Sequence, residues 1–359
     1  MTQELLLHVG DCKTGSTALQ SVLSQGAWRA PGQSLLYTAR MNHSDMAKTL
    51  TRQARRQAET KRFGAMRKAM EDSDARHVVI SSEHFEFVDP EVTHAACLKH
   101  FPGWAEEMRV VAYVRPHAER LLSSYAEHVK LLSVDTSMRG MFERFQRVGR
   151  MDYAPRFRKW RDLLGDRFIL RPMVRPELVQ GDVVADFFDI LFRGAGVEIT
   201  HVPELNTAST VEDLAVLRAL HRQIRAKYPE IRFNWHEGLG KHYARILRDV
   251  PVDGGAMDGV AATKLGIDRA LAKDVVRHYR ADAGALDAEF FDGTPMTDAL
   301  EAAPARAIDA PQSLEPEDHF APETIRYLAG FADMMGRMLA DNPKTMVRGI
   351  MREELRPDT

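Results

Sequence analysis

Leu5-Leu6-Leu7-His8-Val9-Gly10, followed after two residues by Lys13-Thr14-Gly15-Ser16-Thr17, carries the strongest structural signal in the chain. An apolar run of strand length that stops at glycine and resumes with hydroxyl residues predicts a buried strand, a sharp turn and a helix opening at Ser16. Such a turn aims backbone N–H groups and the positive end of the helix dipole at an anion. The position of the lysine then sets the chemistry. A nucleoside-triphosphate loop reads G-x-x-x-x-G-K-[ST], with the lysine after the last glycine reaching the β- and γ-phosphates and a hydroxyl on Mg²⁺. Here Lys13 stands two residues before Gly15, which puts its ammonium over the bridging region of a shorter phosphate chain.

A second motif runs from Arg109 to Tyr125. Arg109-Val110-Val111-Ala112-Tyr113-Val114 reads as a buried parallel strand, and Pro116 followed by Leu121, Leu122 and Tyr125 reads as the next helix. Arg115 therefore sits at a strand's carboxyl end, where open α/β sheets bind ligands, and its planar fork of donors suits a phosphate. Ser123 follows eight residues later, two turns along the same helix, where its hydroxyl would share that phosphate.

The two motifs together resemble those of PAPS-dependent sulfotransferases, in particular the bacterial and carbohydrate-acting ones, which carry K-x-G-[ST]-[ST] after the first strand and an R-x-x-x-x-R-x-x-S-x-Y motif further on. The second is matched at Arg115, Arg120, Ser123 and Tyr125, with Pro116 following the arginine immediately. Weaker similarities run through Asp152 to Trp160, Gly165 to Pro172, Gly181 to Phe188 and Asn206-Thr207-Ala208-Ser209, so that the resemblance spans roughly residues 4 to 230. It implies a P-loop-type α/β fold and a nucleotide with phosphates at both ends of an adenosine. It also implies 3′-phosphoadenylyl sulfate (PAPS) as sulfuryl donor, with PAP as product. Lys13, Thr14, Gly15, Ser16 and Thr17 would hold the 5′-phosphosulfate, and Arg115 and Ser123 the 3′-phosphate.

Strands at Leu5–Val9, His77–Ser81, Arg109–Val114 and Arg167–Leu170 alternate with helices near Thr17–Ser24, Ser44–Met70, Val92–His100, Glu119–Lys130 and Tyr153–Leu164. That order predicts a parallel sheet flanked by helices. From Val183 the pattern is mainly helical, over Val183–Phe192, Val211–Tyr228, His242–Arg248, Asp268–Arg280 and Glu323–Asn342. Gly254-Gly255 reads as a flexible loop, and the Ala/Pro/Asp-rich stretch from Gly293 to Pro322 as an extended connection. The expected organisation is an α/β core over residues 1–195 and a helical part of the same domain, 196–359, capping an acceptor site.

Composition narrows the partners. A chain of 359 residues, 44% hydrophobic, can bury one large core. Its net charge of −2 argues against a nucleic-acid binder, which needs a strong basic excess. Cys12 and Cys97, its two cysteines, make no disulfide framework, and no Cys/His spacing suggests zinc. No basic leader and no apolar run of membrane-spanning length is visible, so a cytoplasmic setting is expected. The composition leaves the oligomeric state open.

Sulfuryl transfer fits a site without a metal, because the sulfuryl group carries less charge than a γ-phosphoryl group, so positioned donors and one ammonium can stabilise the breaking bond. The acceptor, a hydroxyl or amine on a glycan or small metabolite, must still lose a proton. Glu83, leaving the strand at Val78–Ile80, projects toward the same crevice as the two motifs, and the resemblance implies a glutamate base there. His43, just before a helix N-cap at Ser44, is the competing base, and His84 a third. The basic run Arg52, Arg55, Arg56, Lys61, Arg62, Arg67 and Lys68 reads either as an attractor for an acidic acceptor or as a solvated helix face. Two other functions stay open: a P-loop kinase using ATP and Mg²⁺, and a catalytically silent PAP-binding protein.

Overall fold

The computed structural model describes residues 3–51, 53–131, 136–202, 209–249, 263–344 and 346. Among them run the strands β1 (Glu4–His8), β2 (Trp28–Arg29), β3 (Leu35–Leu36), β4 (His77–Ser81), β5 (Arg109–Val114), β6 (Phe168–Pro172) and β7 (Glu198–Ile199). The helices are α1 (Ser16–Gln25), α2 (Ser44–Thr51), α3 (Glu59–Glu71), α4 (Pro90–His100), α5 (His117–Lys130), α6 (Met138–Arg147), α7 (Tyr153–Leu164), α8 (Val183–Phe192), α9 (Val211–Lys227), α10 (Phe233–Asp249), α11 (Arg269–Phe290), α12 (Pro295–Glu301) and α13 (Pro322–Asp341). The chain forms two compact units. The first comprises residues 1–120, 149–205 and 276–303, and the second 121–148, 206–275 and 304–359.

The first unit is a parallel five-stranded sheet in the order β3-β4-β1-β5-β6, so the expected α/β class holds. Leu5, Leu6 and Leu7 are all enclosed, as a central parallel strand covered on both faces requires. Leu6, Val79, Val111 and Tyr113 point to one face and pack with Leu19 and Val22 of α1 and Phe187, Phe188 and Leu191 of α8. Side chains alternate across a strand, so Phe168 of β6 faces the other side, where its ring stacks with Phe157 and Trp160 of α7. β1 leaves toward β3 and β5 toward β6, so the strand order reverses between β1 and β5. A crevice outside the carboxyl ends of two such strands is where doubly wound sheets place ligands.

The second unit is helical. Leu220 and Ile224 of α9 pack with Leu239 of α10 and Ala332 and Leu339 of α13. Thr210 and Asp213 close a capping box at the start of α9, each side chain accepting the other's backbone N–H. No described helix is long and apolar enough to cross a membrane.

Four expected elements differ. The single helix over Ser44–Met70 is divided into α2 and α3 by a 3-10 turn at Gln53–Ala58, a stretch with no apolar residue larger than alanine to anchor it. α10 begins at Phe233 and α11 reaches Phe290, each longer than its pattern predicted. The supposed extended connection after Gly293 holds α12, whose Met296 and Leu300 are fully buried and whose first N–H groups, on Met296 and Thr297, donate to the Asp287 carboxylate. Gly254-Gly255 and Asn206 to Ala208 lie outside the described residues.

Candidate anion and transfer site

β1 continues its pairing with β5 past its last residue: Val9 N–H donates to Val111 O at 3.0 Å, Tyr113 N–H to Gly10 O at 2.9 Å and Asp11 N–H to Tyr113 O at 2.9 Å. The chain then turns. Lys13 has φ 67°, the left-handed region that L-residues adopt rarely, and Gly15 follows at φ 80° as the N-cap of α1. A Cβ on Gly15 would lie 2.7 Å from Val183 Cγ1 and 3.5 Å from Met173 Cε, so only glycine fits. No side chain caps α1, which leaves its first N–H groups to an outside acceptor. Thr14 Oγ1 and Ser16 Oγ turn inward and donate to Asp11 O, at 2.5 and 3.5 Å, while Thr17 is exposed.

Arg115 comes to this loop from the end of β5. Its Nη1 donates to Lys13 O at 3.1 Å. Its Nε is buried with no hydrogen-bond partner and lies 3.6 Å from the Glu119 carboxylate. Ser123 is half-buried on α5, on the portion of that helix belonging to the second unit.

Glu83 opens a 3-10 turn directly after β4, capped by Ser82, whose hydroxyl accepts from His84 N–H. Its backbone is pressed against the loop. Gly10, at φ 94°, approaches so closely that a Cβ there would lie 3.1 Å from Glu83 Cα, and Cys12 Sγ lies 3.9 Å from Glu83 O. The structure thus brings Lys13, Gly15, Arg115 and the start of the Glu83 turn together.

His43 occupies a different setting. Ser81 N–H donates to its Nδ1 at 3.1 Å, so Nε2 carries the proton and donates to Thr38 Oγ1 at 3.1 Å. Both ring nitrogens are engaged, and burial lowers the pKa to about 4. His84 Nδ1 is 3.1 Å from Ser44 Oγ.

Below the loop lies a buried ion cluster that the sequence did not reveal: Asp11, Glu86, Arg120, Arg150 and Arg156. Arg120, the second arginine of the matched motif, is 2% exposed, and its guanidinium is committed to Glu86, Asp11 and Cys12 O. With both carboxylates ionised the five side chains sum to one positive charge. Burial alone would raise Glu86, but the guanidinium groups of Arg120, Arg150 and Arg156 outweigh it and hold the carboxyl far below the usual range. Asp11 moves the other way, raised by burial and by Glu86 against the pull of Arg156 and Arg120. Among the described residues no group of His, Cys, Asp and Glu has the arrangement of a metal site.

No family model matches the chain, and no curated protein matches it. Among solved structures it is similar to the crystal structure of a sulfotransferase from Alicyclobacillus acidocaldarius, at 14% identity and a TM-score of 0.44, over 84% of this chain and 100% of that one.

Proposed function

We propose that the chain binds PAPS and moves its sulfuryl group to a hydroxyl or amine of a small-molecule or glycan acceptor. The observation that carries this is the contact between Arg115 and Lys13 O, because it joins two separately recognised anion motifs at the carboxyl ends of β1 and β5. The uncapped N-terminus of α1 and Lys13 receive the 5′-phosphosulfate. Gly15, where a Cβ would collide with Val183, lets the backbone close on it. Arg115, partly exposed, takes the 3′-phosphate with guanidinium donors that Lys13 O does not use.

The donor supplies an activated sulfuryl group and a phosphate leaving group. The chain's part is to fix that group in line with the acceptor and to meet the charge that grows on the bridging oxygen with the Lys13 ammonium and N–H dipoles. A point charge suffices for this, so the reaction needs no metal. Glu83 accepts the acceptor's proton, since it stands beside Gly10 and Cys12, whereas both nitrogens of His43 serve the fold.

Calorimetry with PAP, ATP and ATP plus Mg²⁺ tests the proposal. PAP should bind without metal and more tightly than either ATP sample. Preference for ATP with Mg²⁺ would instead make the chain a kinase.

A further inference from the structure

The ion cluster under the loop is used by none of these roles, yet its contacts converge on one peptide. Glu86, its side chain fully enclosed, accepts from Cys12 N–H at 3.0 Å through Oε2. The same carboxylate accepts from Arg120 Nη2 at 3.0 and 3.3 Å and pairs with Arg150 Nη2 at 3.0 Å. Arg120 Nη1 donates to Cys12 O. A single buried ion pair therefore grips both polar groups of Cys12, N–H and C=O, and Arg115 grips the carbonyl of the next residue, Lys13. Lys13 is held in a backbone region that a lysine avoids unless its surroundings over-determine it.

We propose that Glu86 is a positioning residue for the anion loop. By fixing Cys12 it sets the left-handed turn at Lys13 and so the direction in which the ammonium and the α1 N–H groups point. A neutral side chain of the same shape would serve less well, because charge-assisted bonds are about twice as strong as neutral ones, and because Arg150 would lose its carboxylate partner and Arg120 would keep only Asp11. The consequence for nucleotide binding rests on the reading of the loop as a phosphosulfate site, whereas the effect on the loop itself does not.

Glu86→Gln tests both, with Glu86→Asp as the charge-conserving control. Amide hydrogen exchange of the unliganded full chain should speed up at least tenfold for residues 12–16 in Glu86→Gln, with β1 and β5 unchanged and Glu86→Asp in between. Calorimetry should show PAP affinity falling tenfold or more in Glu86→Gln, while affinity for adenosine 3′-phosphate, which lacks the 5′ group, stays within twofold. Loop exchange within twofold of wild type overturns the proposal, as does acceleration spread evenly over the sheet. Should Glu86→Gln not fold, Glu86→Asp decides by the same two measurements. Wild-type protein that ignores PAP would refute the nucleotide reading alone, and the exchange result would still decide the role of Glu86.

Discussion

Lowering the pH from about 7.5 to about 5 should weaken the sheet-bearing unit by about 4 kcal/mol through two histidines. His8 and His43 both have pKa values lowered by burial to about 4, against 6.5 for an ordinary histidine. As the pH falls through 6.5 the unfolded chain takes up protons that the folded chain refuses, so stability drops until the folded form protonates near 4. At pH 5 the difference is about 1.5 proton-binding decades per histidine, or about 2 kcal/mol each. Geometry agrees with the direction: a proton on His43 Nδ1 would face the Ser81 N–H donor, and His8 Nε2 has no partner to accept a bond from it. Glu86, held low, keeps its full contribution above the normal carboxylate range and loses it as the pH falls from that range downward, and Asp11, being raised, opposes the trend. Urea unfolding followed by tryptophan fluorescence in a Trp235→Phe background reads this unit, since Trp28, Trp104 and Trp160 all lie in it. His43→Asn retains an acceptor for Ser81 N–H and should remove about half of the pH dependence. A urea midpoint that stays flat between the two pH values, or a slope that His43→Asn and His8→Asn leave intact, refutes the reasoning.

Four further outcomes are expected. Gly15→Ala should destabilise the unit by about 1–3 kcal/mol, from the left-handed backbone and the contact with Val183, and Val183→Ala should restore only part of the loss in thermal unfolding. Arg115→Ala should weaken PAP at least tenfold and adenosine 5′-phosphosulfate far less, with Arg115→Lys recovering part of the loss; equal losses in calorimetry would remove the 3′-phosphate assignment. Lys13→Ala should lower kcat more than it raises KM, as a group acting on transition-state charge must. Glu83→Gln should cut kcat by about a hundredfold or more at unchanged PAP affinity and abolish the acid limb of the rate profile; full activity in this variant together with a dead His43→Asn would reverse the choice of base.

The strands at β1 and β5 were legible because a parallel strand buried on both faces leaves an unbroken apolar run. β3 was not, since two residues carry no period. α6 also carries a local signal: Ser137 caps it by accepting from Gly140 N–H, and Met141, Phe142 and Phe145 form its buried face. The stretch after Gly293 misled by composition, because what makes α12 a helix is the Asp287 carboxylate on α11, a tertiary partner with no local signature. The site divides in the same way. Lys13 to Thr17 and Arg115 announce themselves because a strand, a turn and a helix start are local events. Glu86 stands between Phe85 and Phe87 and resembles any acid on a turn. Its importance comes from Arg120, Arg150 and Arg156, three residues distant in sequence that close on it only in the folded chain. His43 looked like a loop histidine for the same reason, since Thr38 and Ser81 enclose it only once β3 lies beside β4.

The arginine motif after β5 has a structural task as well as the ligand role its pattern suggests. Arg115 and Arg120 take the carbonyls of consecutive residues, Lys13 and Cys12. Binding those carbonyls to guanidinium groups neutralises their negative ends, which favours an anion at the uncapped start of α1. Thr14 and Ser16 act in the same sense, since their hydroxyls bind Asp11 O and hold the loop closed from within. The two arginines differ in what remains to them afterward. Arg120 is enclosed and spends its charge on Glu86 and Asp11, whereas Arg115 is partly exposed, with the Glu119 carboxylate 3.6 Å from its Nε. One arginine therefore builds the loop, and the other steadies it and, in the proposed reading, takes the 3′-phosphate; a lysine at position 115, with one charge centre and no fork, would not do both.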